Sequence, residues 1–114
     1  MTITPVRMAS AAYIPTSLTT LYTCPSSTVN GAVVRKAVFN NVSGTSASFT
    51  LYVVPTGGTA GASNQVISSV TVQNGSEPYI AAELGNLVLN PGDTIQALAS
   101  TASAIVAMIS GFTF

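Results

Sequence analysis

Apolar residues along this chain fall into short runs bounded by turn residues, with no stretch at helical period. Between 84 and 112 three such runs are separated by Asn90-Pro91-Gly92-Asp93 and by Ser100-Thr101-Ala102-Ser103, which predicts a meander of antiparallel strands. Proline at the second turn position presets its own φ, and glycine at the third accepts the positive φ of a type II turn. Upstream, strands are predicted over 17–24, 32–40, 47–54 and 65–73, with a short extended piece over 79–83. About eight strands separated by Gly, Asn, Ser and Pro point to an all-β, antiparallel two-sheet sandwich, jelly-roll-like with an immunoglobulin-like topology as the alternative. The prolines at 5 and 15 and the lack of a clean period make 1–16 an extended N-terminal arm ahead of a single sandwich domain over 17–114.

Strict alternation assigns faces within each strand. It groups Val33, Ala37 and Phe39 with Arg35, and sets Val34 and Val38 with Lys36 on the opposite face. In 47–54 it places Phe49, Leu51 and Val53 in the core, and in 65–73 it groups Val66, Val70 and Val72 against Ile67 and Thr71. The last strand is apolar on both sides, Ile105, Ala107 and Ile109 against Val106, Met108 and Phe112. One set is expected in the core and the other, Val106, Met108 and Phe112, against a partner. The arm carries Ile3, Val6, Met8, Tyr13 and Ile14, too much apolar surface for a free tail, and these are expected to contact a neighbouring subunit. Leu21-Tyr22-Thr23-Cys24-Pro25 is echoed by Leu51-Tyr52-Val53-Val54-Pro55, which suggests two strands stopped by proline at one rim.

Composition narrows the function. Charged residues make up 5% of the 114, against about 25% in an average soluble protein. Net charge is zero, so an isolated domain has little electrostatic protection against association, and protein contact is expected over much of its surface. Arg7, Arg35 and Lys36 form no basic stripe in the sequence, so no nucleic-acid partner is expected. No apolar run reaches about 18 residues, and no membrane partner is expected. Positions 1–6 lack the basic start of a signal peptide.

Chemistry is sparse. The chain has no histidine, which removes Ser-His-Asp and Cys-His catalysis and the commonest general base. Cys24 is the single cysteine, so no disulfide forms within the chain and zinc has one sulfur to bind. Glu77, Glu83 and Asp93 are the three carboxylates, and Glu77 and Asp93 sit beside turns where capping is the ordinary role. The loop at 56–64 is Gly-rich but lacks the Gly-Lys-Ser/Thr ending of a phosphate loop. No catalytic, cofactor or metal residues are assigned, and the chain is expected not to be an enzyme.

The succession of Leu21-Tyr22-Thr23-Cys24-Pro25, a strand from Ala32 into Asn41-Val42-Ser43-Gly44, Leu51-Tyr52-Val53-Val54-Pro55, and Leu89-Asn90-Pro91-Gly92-Asp93-Thr94-Ile95 resembles the small, charge-poor β-sandwich virion proteins of tailed bacteriophages. The resemblance spans roughly 18–112 and consists of strand and turn grammar. It implies a viral structural protein that needs no cofactor. The first expectation is a capsid decoration or cement subunit, localised to a virion assembled in the host cytoplasm. Its partners would be itself, as a homodimer or homotrimer, and the major capsid protein or another virion protein. A tail, neck or fibre component with receptor or glycan contact is the alternative. A stand-alone carbohydrate-binding module is the third reading.

Overall fold

The computed structural model describes residues 3–27, 29–75 and 78–114. Its strands are β1 (Thr4–Tyr13), β2 (Thr19–Thr23), β3 (Ala32–Asn41), β4 (Ala47–Val54), β5 (Gln65–Val72), β6 (Tyr79–Ile80), β7 (Leu87–Leu89), β8 (Thr94–Ala99) and β9 (Ile105–Thr113). Sheet A runs β1-β9-β3-β6, with β7 pairing β3 beside β6, and sheet B runs β2-β8-β4-β5. Every pairing is antiparallel. The chain crosses between sheets from β1 to β2, β2 to β3, β3 to β4, β5 to β6, β7 to β8 and β8 to β9, which is jelly-roll connectivity. An immunoglobulin-like sandwich keeps its first two strands in one sheet, whereas here they lie in different sheets.

The predicted arm takes a different place. Residues Thr4–Tyr13 are a strand of sheet A, paired to β9 from Thr4 opposite Thr113 to Tyr13 opposite Val106. Ile14 continues this contact, its N–H donating to the Ile105 carbonyl at 2.8 Å. Met8 and Ile14 are therefore core residues, 5% and 0% exposed, and not contacts to a neighbour. The physical reason is that β9 offers a second ladder edge and the apolar residues of β1 close the core beneath it. Two register shifts, around Met8 and between Ala9 and Ala12, let consecutive Met8 and Ala9 both turn inward.

Bulges also overturn the alternation expected in β3 and β5. Val34 pairs Gly111 while Lys36 pairs Ser110, so Arg35 is the extra residue and the strand changes parity there. Ala32 and Val34 point inward before the bulge, Ala37 and Phe39 after it, and Arg35 and Lys36 both stay exposed. In β5 the register shifts twice, at Ser69, with φ +46°, and at Val66, so Ile67 and Val72 are buried and Val66 faces out. Thr50 answers this bulge: its Oγ1 accepts the Ser69 N–H at 3.1 Å.

The two sheets meet through stacked Phe39 and Phe49, one from each, with ring centroids 4.3 Å apart. Tyr79 meets Phe49 edge-on at 5.9 Å. The inward sets of β8 and β9, Ile95, Ala97 and Ala99 with Ile105, Ala107 and Ile109, fill the centre of the layer. At the β3–β4 crossover Asn41 is buried, and its Nδ2 donates to the carbonyls of Thr45 and Val72, each at 2.8 Å. Its Oδ1 accepts from the N–H and the hydroxyl of Ser43. This explains the Asn-x-Ser-Gly turn: one amide fixes the loop and ties the end of sheet A to β5 of sheet B.

Candidate functional site

The titratable residues of one rim are structural. Thr23 and Val54 both lie opposite Thr94, so the two Leu-Tyr-containing strands end at the same level on either side of β8. Between them the Asn90–Asp93 turn closes with the Asp93 N–H donating to the Asn90 carbonyl at 3.0 Å and with φ +91° at Gly92. The Asp93 carboxylate accepts from the N–H groups of Asn90 and Thr56 and from the Thr56 hydroxyl. Cys24 lies beneath, fully buried, its N–H bonded to the Asp93 carbonyl and its Sγ 3.9 Å from the Leu89 carbonyl. Burial pushes the Cys24 thiol up, and the Asp93 charge adds to the shift against a lowering hydrogen bond from Gly92. A buried thiol held protonated is a poor nucleophile. Glu77 lies outside the described residues, as does the Glu83 side chain. Among the described residues no three His, Cys, Asp or Glu converge.

The outer face of sheet A has a different character. Cross-strand partners share a face, so the register lays out its rows directly. Tyr13, Val106 and Asn40 form one row, and Met108, Val38 and Ile80 the next. Arg7, Ser110 and Lys36 form the third, and Pro5, Phe112, Val33 and Val88 the fourth. Ile80, Val88, Tyr13 and Met108 are 60%, 56%, 52% and 47% exposed. Val33, Val38, Val106 and Phe112 between them are half-buried. Of the predicted contact residues, Tyr13, Val106, Met108 and Phe112 come together here. Ile3 is exposed just before β1, and Val6 turns inward to pack against the core.

All three cations of the chain also gather on this face. Arg7 and Lys36 flank Ser110 from opposite strands, and the β3 bulge sets Arg35 beside Lys36. The Arg35 guanidinium lies over the Phe112 ring, 6.0 Å from its centroid. Pro5, Val6, Arg7, Arg35, Ser110 and Gly111 line an open cavity of about 390 Å³. Gly111 permits the close approach of β3: a Cβ there would collide with the Val33 carbonyl oxygen and sit 2.9 Å from the Met8 methyl carbon. Sequence reading missed this cluster because Arg7 is distant in the chain and because alternation puts Arg35 and Lys36 on opposite faces. The available clue was the polar pair itself, set between apolar Val34 and Ala37 where one strict period cannot bury both.

The outer face of sheet B is the more polar of the two, with Val66 and half-buried Leu98 as its apolar members. Thr20, Gln96, Tyr52 and Gln65 form a row across four strands, and Ser48 lies opposite Thr71. No helix among the described residues is long and apolar enough to cross a membrane. No protein-family model matches the chain, and neither curated proteins nor solved structures match it at a significant level.

Proposed function

We propose that this chain is a non-enzymatic structural subunit that works in many copies on a larger protein particle, a decoration or cement subunit of a tailed-phage head. The observation that carries the proposal is the outer face of sheet A, where apolar side chains from β1, β3, β6, β7 and β9 stand exposed in adjoining rows. An apolar sheet face of this kind is the mark of a protein contact. Fully covering one Val, Ile, Met or Phe side chain contributes about 1.5–3 kcal/mol, so repetition over a shell makes the sum large. The charge-poor remainder suits close subunit packing, because Ser and Thr are cheaper to desolvate than unpaired charges. Copies of the subunit touch one another and a larger shell protein.

One observation favours a second reading, a tail or fibre component with glycan contact: the hydroxyls and amides around Tyr52 on sheet B are chemically suited to a sugar. The test is a count. Particles from the source lysate are banded on a density gradient, and the chain is quantified against the shell protein by mass spectrometry. Hundreds of copies per particle are expected, tens or fewer favour the tail reading, and recovery only in the particle-free fraction overturns both.

A further inference from the structure

We infer that the outer face of sheet A receives a protein of different sequence, whose own docking surface is apolar and carries carboxylates opposite Arg7, Arg35 and Lys36, and that it does not receive a second copy of this chain. The inference rests on the proposal that this face is covered in a particle, and it specifies the chemistry of the cover.

The cations are not at the margin of the apolar surface. The row of Arg7, Ser110 and Lys36 lies between the row containing Met108, Val38 and Ile80 and the row containing Phe112, Val33 and Val88. A partner that buries both apolar rows necessarily removes water from the cations between them. A desolvated charge without a counter-charge is strongly unfavourable, so a purely apolar occupant fails. The chain's one fully described carboxylate, Asp93, belongs to the sheet B rim and is held there by Asn90 and Thr56. No described carboxylate side chain lies on this face, so two copies meeting face to face would bring Arg7, Arg35 and Lys36 toward their own counterparts, an arrangement that acts against association. The cavity between Arg7 and Arg35, floored by Ser110 and Gly111, is open and large enough for an Asp or Glu side chain to enter. Arginine's planar fork matches a carboxylate in two parallel hydrogen bonds. Phosphates of a nucleic acid offer the same charge, but three cations release few counterions and the apolar rows would stay uncovered.

Lys36 is the only lysine in the chain, which makes the test specific. Intact particles containing the full chain are treated with a carbodiimide, which joins an amine to a contacting carboxylate without a spacer, and the linked peptides are sequenced. The expected product joins Lys36 to an Asp or Glu of another particle protein. A Lys36 link to a second copy of this chain, or a Lys36 that remains open to acetylation in the particle, overturns the inference while leaving incorporation itself intact. Absence of the chain from particles counts instead against the proposed function. In parallel, R7E/R35E is expected to keep the wild-type melting temperature and to lose incorporation at least tenfold, with K36R incorporated normally. Unimpaired incorporation of R7E/R35E overturns the inference. So does salt-sensitive binding of a twenty-residue oligodeoxythymidine by the purified chain that R7E/R35E abolishes.

Discussion

The two outer faces of this sandwich obey different rules. Sheet B presents Thr20, Gln96, Tyr52 and Gln65 outward while its inward residues Ile95, Ala97 and Ala99 are buried, the division expected of an antiparallel sheet wetted on one side. Sheet A buries Ile105, Ala107 and Ile109 equally well, yet exposes Met108, Ile80 and Val88 and groups every cation of the chain among them. Both inner faces satisfy the fold, so the fold does not require the apolar outer face. The contact proposed above would account for what distinguishes sheet A.

The largest effect is expected where the two sheets share one joint. Phe39→Ala removes half of the stacked pair with Phe49 and should cost about 3–5 kcal/mol in denaturant unfolding. Hydrogen exchange should then rise in both sheets together; a rise confined to sheet A would show that they are stabilised separately. Gly111→Ala acts on one side only. Its Cβ would collide with the Val33 carbonyl, and a loss of about 1–3 kcal/mol is expected, with β1 and β3 deprotected and sheet B spared.

The sharpest comparison changes stability least. Met108→Asp and Thr71→Asp place one new charge on the outer face of sheet A and of sheet B respectively, both at exposed positions. Each should leave the unfolding free energy within about 0.5 kcal/mol of wild type, and only Met108→Asp should prevent particle incorporation. Equal incorporation of the two variants would erase the functional distinction between the faces. The smallest effect is a pH dependence at the sheet B rim. Burial raises the Cys24 thiol in the folded state, so below the unfolded thiol value of about 8.5 both states are neutral and stability is complete. As pH climbs from there toward the folded value, the unfolded thiol ionises first and stability falls. Tyr22, also raised by burial and then by Cys24, extends the decline at higher pH. Cys24→Ala should flatten the first part of the curve in pH-dependent melts.

Local features were readable from the residues in order. Pro91-Gly92 marks its turn through the φ preferences of proline and glycine, and the prolines after Cys24 and Val54 mark two ladders that stop at Thr94. The outward set of β9 was also legible, because Ile105–Thr113 alternates without interruption. Faces in β3 and β5 were not, since a single extra residue at Arg35 or Ser69 reverses parity and strict alternation then misplaces everything on one side of it. The role of β1 was hidden for another reason. Its partner is at the far end of the chain, and nothing local in Thr4–Tyr13 distinguishes a strand for its own sheet from one for a neighbour. The cationic cluster combined both difficulties, one bulge and one long-range pairing.

Sheet A takes its second position from β9, the last of the strands in chain order, with β1 on one flank and β3 on the other. During synthesis β1 and β3 cannot be joined until β9 has left the exit tunnel, so closure of this half of the sandwich waits on a segment made long after its first strand. Pairing between such remote segments is slow compared with a hairpin. A chain without Ile105–Thr113 would leave the apolar residues of β1 and the free edge of β3 unsheltered together, which makes the arrival of this one strand the step that separates a closed sandwich from an aggregation-prone intermediate.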